Sequence, residues 1–204
     1  MALVDYFEAE RLLKKYRIRS IESKYVKSAD GAVSFSSGDR IVLKAVSGKA
    51  LHKSKSGLVM PGLATEQEIR KAYAMLERRA AQYKPWKMLA QKMVKGGVEI
   101  IIGGSEDAQF GKMILLGLGG IYVEAFKDFA LRVCPITTND ALSMVRQLRS
   151  KSVIAPTPAS EKMLAELLLK TSKMYQNSKM KELDLNPIIL HDGTYDAVDL
   201  RMIR

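Results

Sequence analysis

The chain has 204 residues, is 47% hydrophobic and 27% charged, and carries a formal net charge of +11. That apolar share fills one large core or two small lobes and excludes a disordered chain. No run of about 18 apolar residues is present, which argues against a membrane-spanning helix. Met1-Ala2-Leu3-Val4-Asp5 lacks the basic and long apolar regions of a signal peptide.

Taken in chain order, residues 5–16 read as a short helix striped by Ala9, Leu12, Leu13 and Tyr16. Strands follow at Ile21–Val26 and Arg40–Val46, with Ser28–Asp39 between them read as a Ser/Gly/Asp loop. Ser47–Gly57 is a second loop, rich in lysine. Thr65 and Glu68 make a capping-box signature ahead of a helix striped by Ile69, Ala72, Tyr73, Leu76 and Ala80. A strand over Trp86–Val94 is broken by Gly96-Gly97. Short apolar strands follow at Val98–Ile102, Lys112–Leu116, Ile121–Val123 and Ala130–Ile136, with glycines between them. Thr138–Leu148 is helical, residues 151–159 read as a linker, and Ser160 is placed as the cap of the next helix. The chain closes on a β-hairpin, Glu182–Leu190 and Tyr195–Met202, around His191-Asp192-Gly193-Thr194. This order predicts an α+β fold with antiparallel sheets in two lobes, residues 1–95 and 96–204, joined near Val94–Gly97.

The positive charge calls for anionic partners. Nucleic acid, phosphorylated metabolites and an acidic protein all fit the charge. No zinc-knuckle spacing or aromatic RNA-binding motif is present, which disfavours nucleic acid. The single cysteine, Cys134, lies in an apolar stretch and reads as a small core residue; one cysteine makes no intrachain disulfide, and a reducing cytoplasm fits.

Several residues can carry chemistry. Lys44 ends an apolar strand, where a lysine either snorkels to solvent or meets an anion. His52 stands among lysines, which favour a neutral, nucleophilic imidazole; a lone loop histidine is otherwise inert. His191, in the hairpin turn, reads as surface. The extended segment Gln91-Lys92-Met93-Val94 can offer backbone groups to a base edge, and Glu99 can take ribose hydroxyls or simply start a strand. Gly117-Leu118-Gly119-Gly120 lets the backbone approach phosphates, or forms a bulge. Arg132, on an apolar strand, points to a buried ion pair or a phosphate. Glu182, Asp184 and Asn186 are spaced two apart, so one strand face holds all three, with Asp199 across the hairpin. Oxygen ligands of this kind suit Mg²⁺, which takes one or two carboxylates and leaves the rest of its shell to phosphates. The alternative is an exposed, solvated edge face.

Taken together and in order, these pieces resemble the ATP-grasp beta subunits of ADP-forming acyl-CoA synthetases. The resemblance rests on Val42-Leu43-Lys44, Leu51-His52-Lys53-Ser54, Gln91–Gly97, Glu99–Gly103, Gln109-Phe110-Gly111, Gly117–Val123, Arg132 and Glu182–Pro187, and covers nearly the whole chain. It implies an ATP-grasp fold with the nucleotide site between the lobes. It also implies a ligase subunit that binds ATP/ADP and Mg²⁺ and pairs with a CoA-binding alpha subunit as a heterotetramer. Carried over by position, Lys44, Gly119, Gly120 and Arg132 would meet phosphates. Gln91 through Val94 would hold adenine, with Glu99 near the ribose. Asn186 and Asp199 would ligate Mg²⁺, with Asp184 or Glu182 beside them, and His52 would relay a phosphoryl group. The sequence departs from the family pattern after Ser54: Lys55-Ser56-Gly57 stands where the family has an acidic residue, a small residue and paired glycines. Two other readings are a carboxylate–amine ligase, which would not need His52, and an inactive nucleotide- or nucleic-acid-binding module.

Overall fold

The computed structural model describes residues 2–49, 57–120 and 128–204. Packing divides it into two compact units, Ile21–Lys95 and a second made of Met1–Ser20 with Gly96–Arg204. The division falls between Lys95 and Gly96, and the first twenty residues pack with the later part of the chain. The cause is backbone pairing: Val4 N–H donates to Met202 O, Ala197 N–H donates to Arg19 O, and Leu3 bridges Ile203.

The Ile21–Lys95 unit is a four-stranded antiparallel sheet under two helices. Its elements are β1 (Ser23–Val26), α2 (Ala29–Ser36), β2 (Ile41–Val46), β3 (Val59–Leu63), α3 (Glu66–Ala80) and β4 (Lys87–Lys92), with strand order β1-β4-β2-β3. The capping box forms as the sequence indicates: Glu68 N–H donates to Thr65 Oγ1 at 3.2 Å, and Thr65 N–H to Glu68 Oε2 at 2.9 Å. The whole α3 stripe, Ile69, Ala72, Tyr73, Leu76 and Ala80, is buried. It packs on Ile41, Leu43, Met88 and Ala90 from the sheet. The segment 28–39, expected as a loop, is α2. Ser28 Oγ accepts from the Gly31 N–H at its start, and Ala32 joins the core with Val33 and Phe35 packed against it. Tertiary burial overrides the weak propensity of a Ser/Gly-rich stretch. The strand β3 has no counterpart in the sequence reading; Pro61 and Gly62 mask it.

The second unit begins with α1 (Tyr6–Lys15). It continues with β5 (Val98–Asp107), β6 (Gly111–Leu118), β7 (Phe129–Val133), α4 (Thr138–Gln147), the one-turn α5 (Lys151–Ile154), α6 (Pro158–Gln176), β8 (Glu182–His191), β9 (Thr194–Ala197) and β10 (Leu200–Ile203). Its sheet has the order β10-β8-β5-β6-β7, with β9 also paired to β8, and every pairing is antiparallel. Three expectations shift here. Residues 151–159 are not a plain linker, because Lys151–Ile154 forms α5. Thr157, not Ser160, caps α6, with Pro158 at the first helical turn. The final strand is two, β9 and β10, both paired to β8.

One face of this sheet is covered by helices. Ile100, Ile102, Ile114, Leu116, Ala130, Leu183 and Leu185 are buried on it together with Leu164, Leu168 and Tyr175 of α6. Cys134 belongs to this core: it is buried, and burial pushes its thiol up despite a hydrogen bond with Ser172 and the nearby Lys112 charge. Among the described residues, no helix is long and apolar enough to cross a membrane.

Candidate functional site

The second face of the large sheet carries most of the singled-out residues. Cross-strand partners share a face, so the register lays them out. Gly103 pairs with Leu115 on one side and Asp184 on the other; Ser105 pairs with Met113 and Glu182. Asp184 in turn pairs with Arg201, and Leu115 with Leu131. By the two-residue period, Glu99, Ile101 and Ser105 lie with Gly103, and Asp199 lies with Arg201. This open face therefore holds Glu99, Glu182, Asp184, Asn186, Asp199 and Arg201 at one side. The apolar Met113, Leu115, Phe129, Leu131 and Val133 lie at the other. Phe129, Leu131 and Val133 are 51%, 40% and 46% exposed.

A cavity of about 340 Å³ lies on this face, lined by Gly103, Leu115, Leu131, Glu182, Asp184 and Arg201 among others. Gly103 contributes floor without filling it, since a Cβ there would come no closer than 3.9 Å to any neighbour.

The strand β8 changes its facing at one point. Ile100 pairs with Ile188 and Ile102 with Leu185, so Asn186 and Pro187 together oppose Ile101. This bulge switches the buried set from Leu183 and Leu185 to Ile188 and Leu190. The acidic side of the strand thus ends at Asn186, which is exposed. Asn186 N–H donates to the Asp199 carbonyl at 3.2 Å, and Asp199 Oδ1 accepts from Leu200 N–H at 3.1 Å. Asn186 and Asp199 are therefore neighbours, as the hairpin predicts.

Asp184 is the carboxylate of this face that burial perturbs. Burial raises its pKa above the ordinary 3.8, Arg201 opposes that shift, and Asp199 and Glu182 add to it. Its Oδ1 is buried without a hydrogen-bond partner, and so is Arg201 Nε. Arg201 meets Glu182 Oε2 at 3.5 Å. Among the described residues, no three His, Cys, Asp or Glu side chains converge closely enough to hold a metal ion by themselves. Mg²⁺ does not need three: one or two carboxylates and an amide oxygen could hold it, with phosphate and water completing its shell.

Glu99 is exposed and held by the glycine block. Gly119 N–H donates to the Glu99 carbonyl at 2.7 Å. The Gly120 Cα lies close enough that a Cβ would reach 3.2 Å from Glu99 Oε2. Arg132 departs from expectation. It lies on the helix face of β7 between exposed Leu131 and Val133, and is only half-buried. Its guanidinium donates to Ser143 Oγ at 3.2 Å and Gln147 Oε1 at 3.1 Å on α4, so no buried ion pair forms. Strand parity explains this, because Ala130 and Arg132 point opposite to Leu131.

In the smaller sheet, Lys44 pairs with Leu89 and Val42 with Gln91. Lys44 and Gln91 therefore share the face turned away from α2 and α3. Lys44 is 5% exposed, so it does not snorkel. Gln91 is fully buried and its Nε2 donates to Ser23 Oγ at 3.0 Å. Lys92 turns the other way, donating to Ser36 O at 2.7 Å and pairing with Asp39 at 3.0 Å. The backbone N–H groups of Lys92 and Met93 donate to Glu22 O and Arg40 O. Met93 is 40% exposed and Val94 half-buried. His52, with Lys53 through Ser56, lies outside the described residues.

His191 is not the bare surface residue expected. Its Nε2 lies 2.9 Å from Asp196 Oδ2, and Asp196, buried, also pairs with Arg19. Arg201 is the residue the sequence reading missed. Its signal was the period of two from Asp199.

The model of the ATP-grasp domain family matches residues 2–203. The chain is 36% identical over 207 residues to the beta subunit of acetate–CoA ligase (ADP-forming) I of Pyrococcus furiosus, covering 96% of this chain and 89% of that one. Among solved structures it resembles acetyl-coenzyme A synthetase 1 of Ca. Korarchaeum cryptofilum in complex with coenzyme A and Ca-AMPCP. That match has a TM-score of 0.89 and 32% identity over 99% of this chain and 93% of that one. A second structure of that enzyme holds coenzyme A and Mg-AMPPCP, with a phosphohistidine segment pointing towards the nucleotide binding site. It matches with a TM-score of 0.82 and 31% identity over 99% and 92% of the two chains.

Proposed function

The chain belongs to the ATP-grasp family of ADP-forming acetate–CoA ligase beta subunits, and we propose that its open sheet face holds the metal–nucleotide of that reaction. The observation that carries this reading is the placement of Glu99, Asp184, Asn186, Asp199 and Arg201 on one sheet face, where Asp184 and Arg201 line a cavity. The protein is the nucleotide-binding subunit of an acid–thiol ligase. The whole enzyme converts acyl-CoA, ADP and phosphate to the free acid, CoA and ATP.

Asn186 and Asp199 are the Mg²⁺ ligands in this reading, adjacent at the bulge midway along β8, with Asp184 beside them. The metal supplies charge neutralisation for phosphoryl transfer. Glu99, fixed by Gly119, takes ribose hydroxyls. In this reading Lys44 meets phosphates and the Gln91–Val94 segment meets the base, the Lys92 side chain excepted, since it is bonded to Ser36 and Asp39. Arg132 bonds to α4 as it stands, so a phosphate role for it would require leaving Ser143 and Gln147.

His52 carries the phosphoryl group. An imidazole nitrogen of His52 attacks the phosphorus of the phosphohistidine on the CoA-binding subunit; that N–P bond breaks as the His52 N–P bond forms. A terminal ADP oxygen then attacks, the His52 N–P bond breaks, and ATP leaves. A cytoplasmic heterotetramer with the CoA-binding subunit is the assembly this chemistry calls for.

The test is reconstitution. The full chain, the CoA-binding subunit, Mg²⁺, ADP, phosphate and a panel of acyl-CoAs should yield ATP only when both subunits are present. Nucleotide binding without ATP from any acyl-CoA would replace this reading with the inactive module. ATP-driven amide formation that survives loss of His52 would favour the carboxylate–amine ligase.

A further inference from the structure

We infer that Arg201 is a second cation of the phosphoryl site, exchanging Glu182 for a nucleotide phosphate when the metal–nucleotide binds. The inference rests on the reading of this face as the nucleotide site.

Three observations support it. Arg201 stands directly across from Asp184 and lines the same 340 Å³ cavity as Asp184, Glu182 and Gly103. Its Nε is buried and unbonded. Its one ion pair among the described residues is to Glu182 at 3.5 Å, longer than the 2.7–2.9 Å of a charge-assisted hydrogen bond. A guanidinium offers five N–H donors in a planar fork, more than the single contact with Glu182 uses, and Arg201 lines the cavity. Glu182 holds the side chain loosely, which keeps it on the face without satisfying it.

Charge balance gives the direction of exchange. Without ligand, Arg201 offsets part of the negative charge of Glu182, Asp184 and Asp199. Asn186 and Asp199 would hold Mg²⁺, which would offset that negative charge, with the nucleotide phosphates on the same face. The guanidinium then gains a stronger acceptor two residues along the strand from Asp199. Metal and arginine would together neutralise the phosphate chain, a division of labour that suits transfer of a phosphoryl group.

The test is calorimetric binding of Mg-ADP to the full chain, with inorganic pyrophosphate plus Mg²⁺ as a base-free probe. Arg201→Met should weaken both ligands roughly tenfold or more, the loss of a charged hydrogen bond, and Arg201→Lys should recover part of it. The double variant Arg201→Met, Glu182→Gln should stay as weak as Arg201→Met, although the unpaired carboxylate is gone. Unchanged affinity in Arg201→Met, or full recovery in the double variant, would reduce Arg201 to a structural counter-ion of Glu182 and overturn the inference. Asp199→Asn in parallel separates the two levels. If Asp199→Asn loses Mg-dependent binding and Arg201→Met does not, only the arginine inference falls. If neither variant affects binding, the nucleotide reading of the face falls with it.

Discussion

The backbone N–H of Gly119 donates to the carbonyl of Glu99 at 2.7 Å, and a Cβ on Gly119 would fall 2.8 Å from the Glu99 carbonyl carbon. The glycine is thus required by packing against the chain itself. No side chain fits without moving β5 or the turn after β6. Gly119→Ala should cost about 1–3 kcal/mol of stability, the usual range for overpacking. It should also weaken nucleotide binding, because Glu99 moves with the backbone. Thermal melting and Mg-ADP titration check both; a variant that melts and binds like the parent would break the link between the glycine block and Glu99.

The Asn186–Asp199 pair gives the metal prediction. At a ligand concentration of a hundred times Kd, binding adds about 2.7 kcal/mol to stability. For a protein of this size that is a melting shift of roughly 5–10 °C. Asn186→Ala and Asp199→Asn should each abolish the Mg-dependent part of that shift. The ligand-free melting point should change little, because Asn186 is exposed and the bond between the two residues is made by backbone atoms. A full Mg-dependent shift in both variants would remove the metal from the β8 bulge.

Asp184 carries a pH dependence with a definite sign. Burial raises its folded-state pKa above 3.8, with Arg201 opposing and Asp199 and Glu182 reinforcing. The folded state therefore binds this proton more tightly than the unfolded chain. The group costs no stability below pH 3.8. Its cost grows as pH rises from there through the raised value, and is fully present above it. Asp184→Asn should melt above the parent near neutral pH, and the two curves should converge under acid conditions. Mg-ADP binding to the parent in the same window should release protons, since a cation near Asp184 favours its ionised form. Parallel melting curves across the pH range would show that Asp184 titrates alike in both states.

Much of this arrangement could be read from the residues alone, and the failures have physical causes. The spacing of Glu182, Asp184 and Asn186 against Leu183 and Leu185 places the acidic face correctly, because a strand has only two faces. It could not reveal the bulge at Asn186–Pro187, which depends on how Ile101 pairs. Thr65 and Glu68 announce α3 because a capping box is local. The 28–39 segment misleads because α2 is stabilised by Ala32, Val33 and Phe35 meeting a core built elsewhere. Arg132 was judged by its apolar neighbours, but parity turns it towards Ser143 and Gln147 on α4. His191 read as surface because its partners, Asp196 and, through it, Arg19, are set by the pairing of β9 with β8 and by the return of the N-terminal segment.

The relay prediction turns on His52 and on the lysine two residues after Lys53. Phosphoryl transfer through a histidine leaves a phosphoramidate, which is labile to acid and stable to base. In the full complex with labelled ATP and Mg²⁺, the label should appear on this chain with that stability profile and vanish in His52→Ala, with turnover lost. Lys55 adds a positive charge where the family carries an acid. A cation beside the loop favours the phosphorylated form, which carries more negative charge, over the free imidazole. Lys55→Glu should therefore lower the steady-state level of phosphohistidine and weaken its dependence on ionic strength, since nearby exposed charges act within about 10 Å at 0.1 M salt. His52→Ala with undiminished turnover would end the relay. Equal labelling of the parent and Lys55→Glu at all salt concentrations would show that the altered loop leaves the transferred group unaffected.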